Sequence, residues 1–173
     1  MALTEAITPS DDRVSPIVFA AAGNWGYNFP TPFPATEQGV FGIHAVNGQG
    51  IVWDSNTLFA AKDPIATLGV AIESFWNGER VWLSGTSFAT PIAAGIAANV
   101  LEFAKQKMNL NQPQMRQLRS FRGMRAVLKL MCMEGPTFAY LSPWQLQRGS
   151  HNCKTDEDIA KKFEKQIKNS WYD

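Results

Sequence analysis

The chain has 173 residues, 45% of them hydrophobic, and a formal net charge of +1. That size and apolar content suit one folded domain with a real core and exclude a disordered or fibrous chain. Two cysteines make no disulfide framework, and no run of about 18 uninterrupted apolar residues marks a membrane span.

In chain order, "LTEAI" reads as the tail of a short helix that "SDDR" and "SP" end. "IVFAAAGN" (17–24) is a continuous apolar run stopped by Gly-Asn, the pattern of a strand buried on both faces of a parallel sheet. A loop rich in proline and glycine follows, "WGYNFPTPFPATEQG". "VFGIHAV" (40–46) reads as a second buried strand, closed by the turn residues "NGQG". "IVWDSNTLFAAKDP" fits neither period. "IATLGVAIES" reads as one more apolar strand region, and "GERVWLSG" as a short strand leading to a turn at Gly85.

From Ser87 the period changes. Residues 88–104 are apolar almost all round a helix, which implies burial on every face. Pro91 is expected in the first turn, where a missing N–H costs nothing. Asn111 and Pro113 are start signals for a further helix, with Gly123 as its stop. Met124, Val127, Leu128 and Met131 predict another packed helix, and Cys132 continues that apolar pattern as a small buried hydrophobe. "YLSPWQLQRGSHNCK" reads as a connecting loop. Thr155 with Asp158 resembles a capping box, and Ile159, Phe163, Ile167 and Trp171 form a narrow stripe on a charged helix docked on the domain or a partner.

Charge is unevenly spread. Residues 1–104 carry three basic and nine acidic residues; residues 105–173 carry thirteen basic and six acidic ones. Lys105, Lys107, Arg116, Arg119, Arg122, Arg125 and Lys129 lie in a stretch with no acidic residue. It reads as a solvated helix face or a contact to the acidic first part; a nucleic-acid patch is the other reading.

Ser87 has two readings. A Ser before an apolar helix is a common N-cap. A hydroxyl beside a helix N-terminus is also well placed for nucleophilic chemistry, because unpaired backbone N–H groups there stabilise an oxyanion. "GTSFATPIAAG" resembles the nucleophile motif of the subtilisin-like serine proteases (subtilases). "IVFAAAGN" resembles the strand that ends in that family's oxyanion asparagine, and "FPATEQGVFGIHAV" the segment after it. The likeness covers most of residues 5 to 145 and is strongest to intracellular fungal members. It implies an α/β fold: part of a three-layer subtilisin-like domain, with a mostly parallel sheet and a buried central helix. Residues 1–145 would be the C-terminal part of the peptidase domain, and residues 146–173 a loop and amphipathic helix.

The resemblance implies Ser87 as nucleophile, Asn24 as oxyanion donor through its side-chain amide, and Thr86 as support for that hole. Ala21, Ala22 and Gly23 would form one wall of the specificity pocket, and Phe33-Pro34 is a candidate cis bond. It implies a polypeptide substrate and no organic cofactor; calcium is common in the family, but no ligand cluster is assignable.

The family order is Asp, His, Asn, Ser. The 23 residues before Asn24 contain no histidine, and Asp11 and Asp12 lack the family's context. The Asp and His motifs are therefore expected outside these residues, in a longer chain or a partner. His44 reads as a buried core-strand histidine, and His151 lies in a loop beyond the match. The chain alone is expected to be nearly inactive. A non-catalytic, protease-derived scaffold is the alternative. The start shows no secretory pattern, so the chain reads as soluble and intracellular.

Overall fold

The computed structural model describes residues 16–58, 64–135, 137–146 and 153–172. The expected helix tail near residue 5 lies outside them. Seven strands occur among the described residues: β1 (Val18–Ala21), β2 (Val40–Val46), β3 (Ile65–Leu68), β4 (Ile72–Trp76), β5 (Glu79–Leu83), β6 (Cys132–Glu134) and β7 (Ala139–Leu141). The helices are α1 (Thr86–Lys107), α2 (Gln112–Leu118), α3 (Phe121–Lys129) and α4 (Asp156–Asn169). The chain divides into two compact units, one of residues 19–95 with 133–142 and one of residues 1–18, 96–132 and 143–173.

The first unit holds the sheet, in the order β1-β2-β3-β7-β6. β2 and β3 run parallel, with Ile43 opposite Ile65 and Val46 opposite Leu68, and β3 runs parallel to β7. β2 is the strand that its continuous apolar run predicts: Ile43, Ala45 and Val46 are fully buried. β1 departs from expectation. Among the described residues it ends the strand order, and only Ala20 of its four residues is fully withdrawn from solvent. A strand with a described neighbour on one side alone cannot be covered like an interior one.

"IATLGVAIES" is two strands, not one. It breaks at Gly69: β3 stays in the parallel sheet, while β4 pairs antiparallel with β5 in a separate two-stranded ribbon. The ribbon turns at Asn77-Gly78, whose φ values of 50° and 83° suit a tight hairpin. Gly69 permits the break, since a Cβ there would come within 2.8 Å of Ala89 Cβ and 2.9 Å of Ala45 Cβ.

The segment that fitted neither period is held by polar bonds. Asn56, fully buried, accepts from Ala45 N–H at 2.9 Å and donates to Ala45 C=O at 2.7 Å. One amide thus pairs both backbone groups as a neighbouring strand would. Asn56→Ala is expected to strand the Ala45 N–H, while the Ala45 carbonyl keeps the Trp53 N–H at 3.2 Å, and to cost about 1–3 kcal/mol, read as a lower urea midpoint with unchanged slope.

α1 also differs from expectation. Its buried residues are Thr86, Ala89, Ala93, Ala97, Val100 and Ala104, spaced by three or four; Pro91, Gly95, Ala98 and Asn99 are exposed. One stripe is buried rather than every face. The run is apolar mostly through alanine, whose exposure costs little, so composition overstates the burial. The helix starts at Thr86, which puts Pro91 in the second turn rather than the first. α1 is one helix long and apolar enough to cross a membrane by length and composition, since Thr90, Asn99 and Glu102 break the uninterrupted run without lowering its mean hydropathy below 1.3.

The second unit is helical. Asn111 caps α2 through a reciprocal capping box with Gln114. Gly123 does not stop a helix: it is the third residue of α3, which Ser120 caps. A Cβ at Gly123 would collide with the Gln117 carbonyl, so glycine is what lets α2 and α3 cross this closely. Met124, Val127 and Leu128 are fully buried, as their spacing predicts. Thr155 caps α4 with Asp158 in the predicted box. Phe163 and Ile167 are buried, Phe163 edge-on to Phe103 at 5.7 Å, while Trp171 is 47% exposed past the helix end. In the basic stretch, Lys107 pairs with Asp156 at 3.1 Å. Cys132 opens β6 rather than continuing a helix, and its thiol donates to the Leu128 carbonyl. The loop expected after Tyr140 contains the end of β7 and a short 3-10 helix, Pro143–Leu146.

Candidate active site

Asn24, Thr86 and Ser87 lie in the same unit, where the end of β1 meets the start of α1. The cap question resolves first. Gly85 supplies the first helical carbonyl, accepting from Phe88 N–H at 3.0 Å and Ala89 N–H at 3.3 Å. Gly85 is therefore the cap residue, and Ser87 sits inside the first turn. Ser87 is exposed, and among the described residues its hydroxyl makes no hydrogen bond. A capping role does not account for it.

The N–H groups of this turn are almost all assigned. Gly85 N–H donates to Gly69 C=O at 2.8 Å, Thr86 N–H to Asn24 Oδ1 at 2.9 Å, and Phe88 N–H to Gly85 C=O. The Ser87 N–H is left without an acceptor among the described residues, in the turn where the helix field is positive.

Thr86, fully buried, sets the Asn24 amide. Its hydroxyl donates to Asn24 Oδ1 at 2.9 Å and accepts from Gly23 N–H at 3.2 Å. A backbone N–H only donates, so the atom facing Thr86 must be the oxygen of Asn24. Asn24 Nδ2 is thereby turned to the other side, on an exposed residue, and would lie 3.2 Å from a Cβ added at Gly85. Glycine at position 85 keeps the space beside that amide open. Two donors, Asn24 Nδ2 and the Ser87 N–H, thus remain for an acceptor that the described residues do not supply.

The residues before Asn24 are packed tightly. Ala22 is fully buried, and its carbonyl accepts a short hydrogen bond from the Thr57 hydroxyl. Gly23, at φ +103°, is buried too, and a Cβ there would come within 2.8 Å of Thr57 Cγ2. Ala21 alone of the three keeps part of its surface. The Phe33-Pro34 peptide bond is cis, as anticipated.

His44 lies on β2 and is 2% exposed; burial pushes its imidazole down to about 4. It is neutral at pH 7 and stands as the core histidine that its strand context predicts. His151 lies outside the described residues. With a folded pKa near 4 and an unfolded value near 6.5, His44 binds its proton more readily when unfolded. Stability is then complete above about pH 6.5 and falls as pH drops towards 4, by about 3 kcal/mol in all. In His44→Gln that part of the acid loss should vanish, as read from urea midpoints between pH 7 and 4. Among the described residues no three His, Cys, Asp or Glu side chains gather as a metal site.

A helix start bearing an exposed serine, opposite an oriented asparagine amide on a mainly parallel α/β sheet, is the arrangement present, and comparison with known proteins gives its family. The chain belongs to the Subtilase family, whose model matches residues 4–129. A thermostable alkaline protease of Halalkalibacterium halodurans is 39% identical over 85 residues, 49% of this chain and 23% of that protein. The subtilisin-like protease het-Q2 of Podospora anserina is 28% identical over 102 residues, 55% of this chain and 28% of that protein. Among solved structures, a mutant of the protease domain of PatA superposes with a TM-score of 0.58 at 24% identity, over 75% of this chain and 46% of that one. The prenylagaramide maturation protease PagA does so at 0.56 and 25%, over 85% of this chain and 50% of that one. The match thus spans about a quarter of the curated relatives and about half of the solved domains.

Sequence reasoning placed Asn24, Thr86 and Ser87 together. It missed Gly69, whose carbonyl holds Gly85, and Thr57, which locks Ala22. Neither carries a local signal, because each acts through a partner distant in the chain.

Proposed function

We propose that this chain carries the nucleophile and the oxyanion-stabilising half of a serine endopeptidase centre. Ser87 Oγ attacks the scissile carbonyl of a polypeptide, and the leaving amine departs from an acyl-Ser87 that water later hydrolyses. The carbonyl oxygen gains negative charge between Asn24 Nδ2 and the Ser87 N–H. Thr86 is a positioning residue, holding the Asn24 amide oxygen so that its nitrogen faces the reaction. Ala21, with Ala22 and Gly23 packed beneath it, would border the bound side chain next to the cleaved bond. Residues 1–145 would form this part of the peptidase domain, with residues 146–173 appended. The observation that carries the reading is the pair of unused donors beside an exposed serine with no capping task.

The proton acceptor comes from elsewhere, since buried His44 holds its proton too weakly and too deep in the sheet. It belongs to a histidine with its orienting carboxylate on another segment, joined in the same polypeptide or bound to it. No step requires a metal or organic cofactor.

Fluorophosphonate labelling with mass spectrometry tests this. The 173-residue chain alone should label negligibly. Fused behind a subtilase segment that carries Asp and His motifs, it should label on Ser87 and nowhere in Ser87→Ala. A folded fusion that leaves Ser87 unlabelled would sink the catalytic reading and favour a protease-derived scaffold. That second reading draws on the lack of a usable histidine among the described residues.

A further inference from the structure

The β4–β5 ribbon has two unlike faces. Register pairs Glu73 with Trp82 and Phe75 with Arg80, so these four side chains share one side; Ile72, Ser74, Val81 and Leu83 share the other. On the second side these four are half-buried, while Trp76 and Glu79, which share it at the hairpin end, are exposed. On the first, Phe75 is 68% exposed and Trp82 63%. They sit diagonally across the two strands, and the Glu73–Arg80 ion pair at 3.1 Å spans the crossing diagonal between them. Two large aromatics on the open face of a short ribbon are poorly explained by the fold, which gains little from them.

The root of the ribbon is clamped to the candidate site. Gly85 N–H donates to Gly69 C=O at 2.8 Å, and Ala71 N–H to the Ser84 hydroxyl at 3.0 Å. Trp82 precedes Ser87 by five residues, which limits their separation to about 17 Å, or about five residues of an extended peptide. Trp82 therefore stands no further than this from Ser87.

We propose that Phe75 and Trp82 form a subsite for an apolar side chain of the polypeptide substrate, up to about five residues from the cleaved bond. This rests on the reading of Ser87 as the nucleophile. Occupancy covers two aromatic rings left in water by the fold, and the Glu73–Arg80 pair rims the patch with polar groups as at other recognition surfaces. The occupant is an extended substrate rather than a second copy of the chain, because β5 runs directly into the hydrogen-bonded turn that carries Ser87.

Peptide binding tests it without needing a general base. Fluorescein-labelled decapeptides with leucine or phenylalanine near one end should bind the 173-residue chain in an anisotropy titration. Decapeptides with serine there should bind about tenfold more weakly, and Phe75→Ser/Trp82→Ser should erase that preference. These exposed positions leave the core intact, which circular dichroism confirms. Equal affinities in the variant and the original chain would overturn the subsite. So would a dimer on size-exclusion chromatography that the double substitution dissociates, which would assign the face to a second copy. Ser87 labelling of the fusion is read separately: a labelled Ser87 with no decapeptide preference refutes the subsite alone, whereas decapeptide preference with no labelling refutes the catalytic reading.

Discussion

Ser87→Ala in a fusion that supplies the histidine and its carboxylate is expected to lower kcat by about 10⁶-fold, the loss found when the serine of subtilisin, a family relative, is removed. The hydroxyl has no structural partner among the described residues and lies exposed in the first turn of α1. Removing it breaks no bond of the fold, so the urea midpoint should stay within about 0.5 kcal/mol of the original. That separation of activity from stability is the informative part. A cap serine would show the reverse, losing about 1 kcal/mol of stability. Turnover by peptide-substrate assay and unfolding by circular dichroism on one preparation decide between them.

Asn24→Ala is the second large effect. One oxyanion donor disappears, and kcat should drop by about 10²–10³-fold with little change in KM, because the lost bond strengthens only as charge develops on the oxygen. Thr86 N–H and its hydroxyl both lose Oδ1 as acceptor at the same time. Stability should therefore also fall, by about 1–3 kcal/mol. Thr86→Ser isolates the positioning role: it keeps the hydroxyl that donates to Asn24 and should retain most activity, while Thr86→Val should not. If Asn24→Ala raises KM and leaves kcat alone, Asn24 binds ground-state substrate and the oxyanion assignment fails.

Much of the architecture was legible along the chain. β2 was plain because its run is apolar but for His44, and six of its seven residues are buried, and the caps of α2 and α4 were plain because a cap joins residues three apart. The motif around Ser87 and the Gly-Asn closing β1 identified the family, since both are local. Burial was read less well. The alanine-rich α1 looked buried on every side, and one stripe of it is. "IATLGVAIES" looked like one strand, although Gly69 sends its halves into different sheets. Gly123 looked like a stop because glycine ends helices often, while here it makes room for the Gln117 carbonyl.

By itself, then, the sequence determined the family, the helix that follows Gly85, the buried strand β2 and the residues proposed to react. Hydrophobic period, turn chemistry and capping act over a few residues, so they are written in consecutive letters. Only the tertiary structure decided that Gly85 and not Ser87 is the cap, that Thr86 turns Asn24 so its nitrogen is free to donate, and that Phe75 and Trp82 share one open face. Each of these depends on a bond or register between residues that the chain brings together only by folding: 62 positions for Asn24 and Thr86, 16 for Gly69 and Gly85.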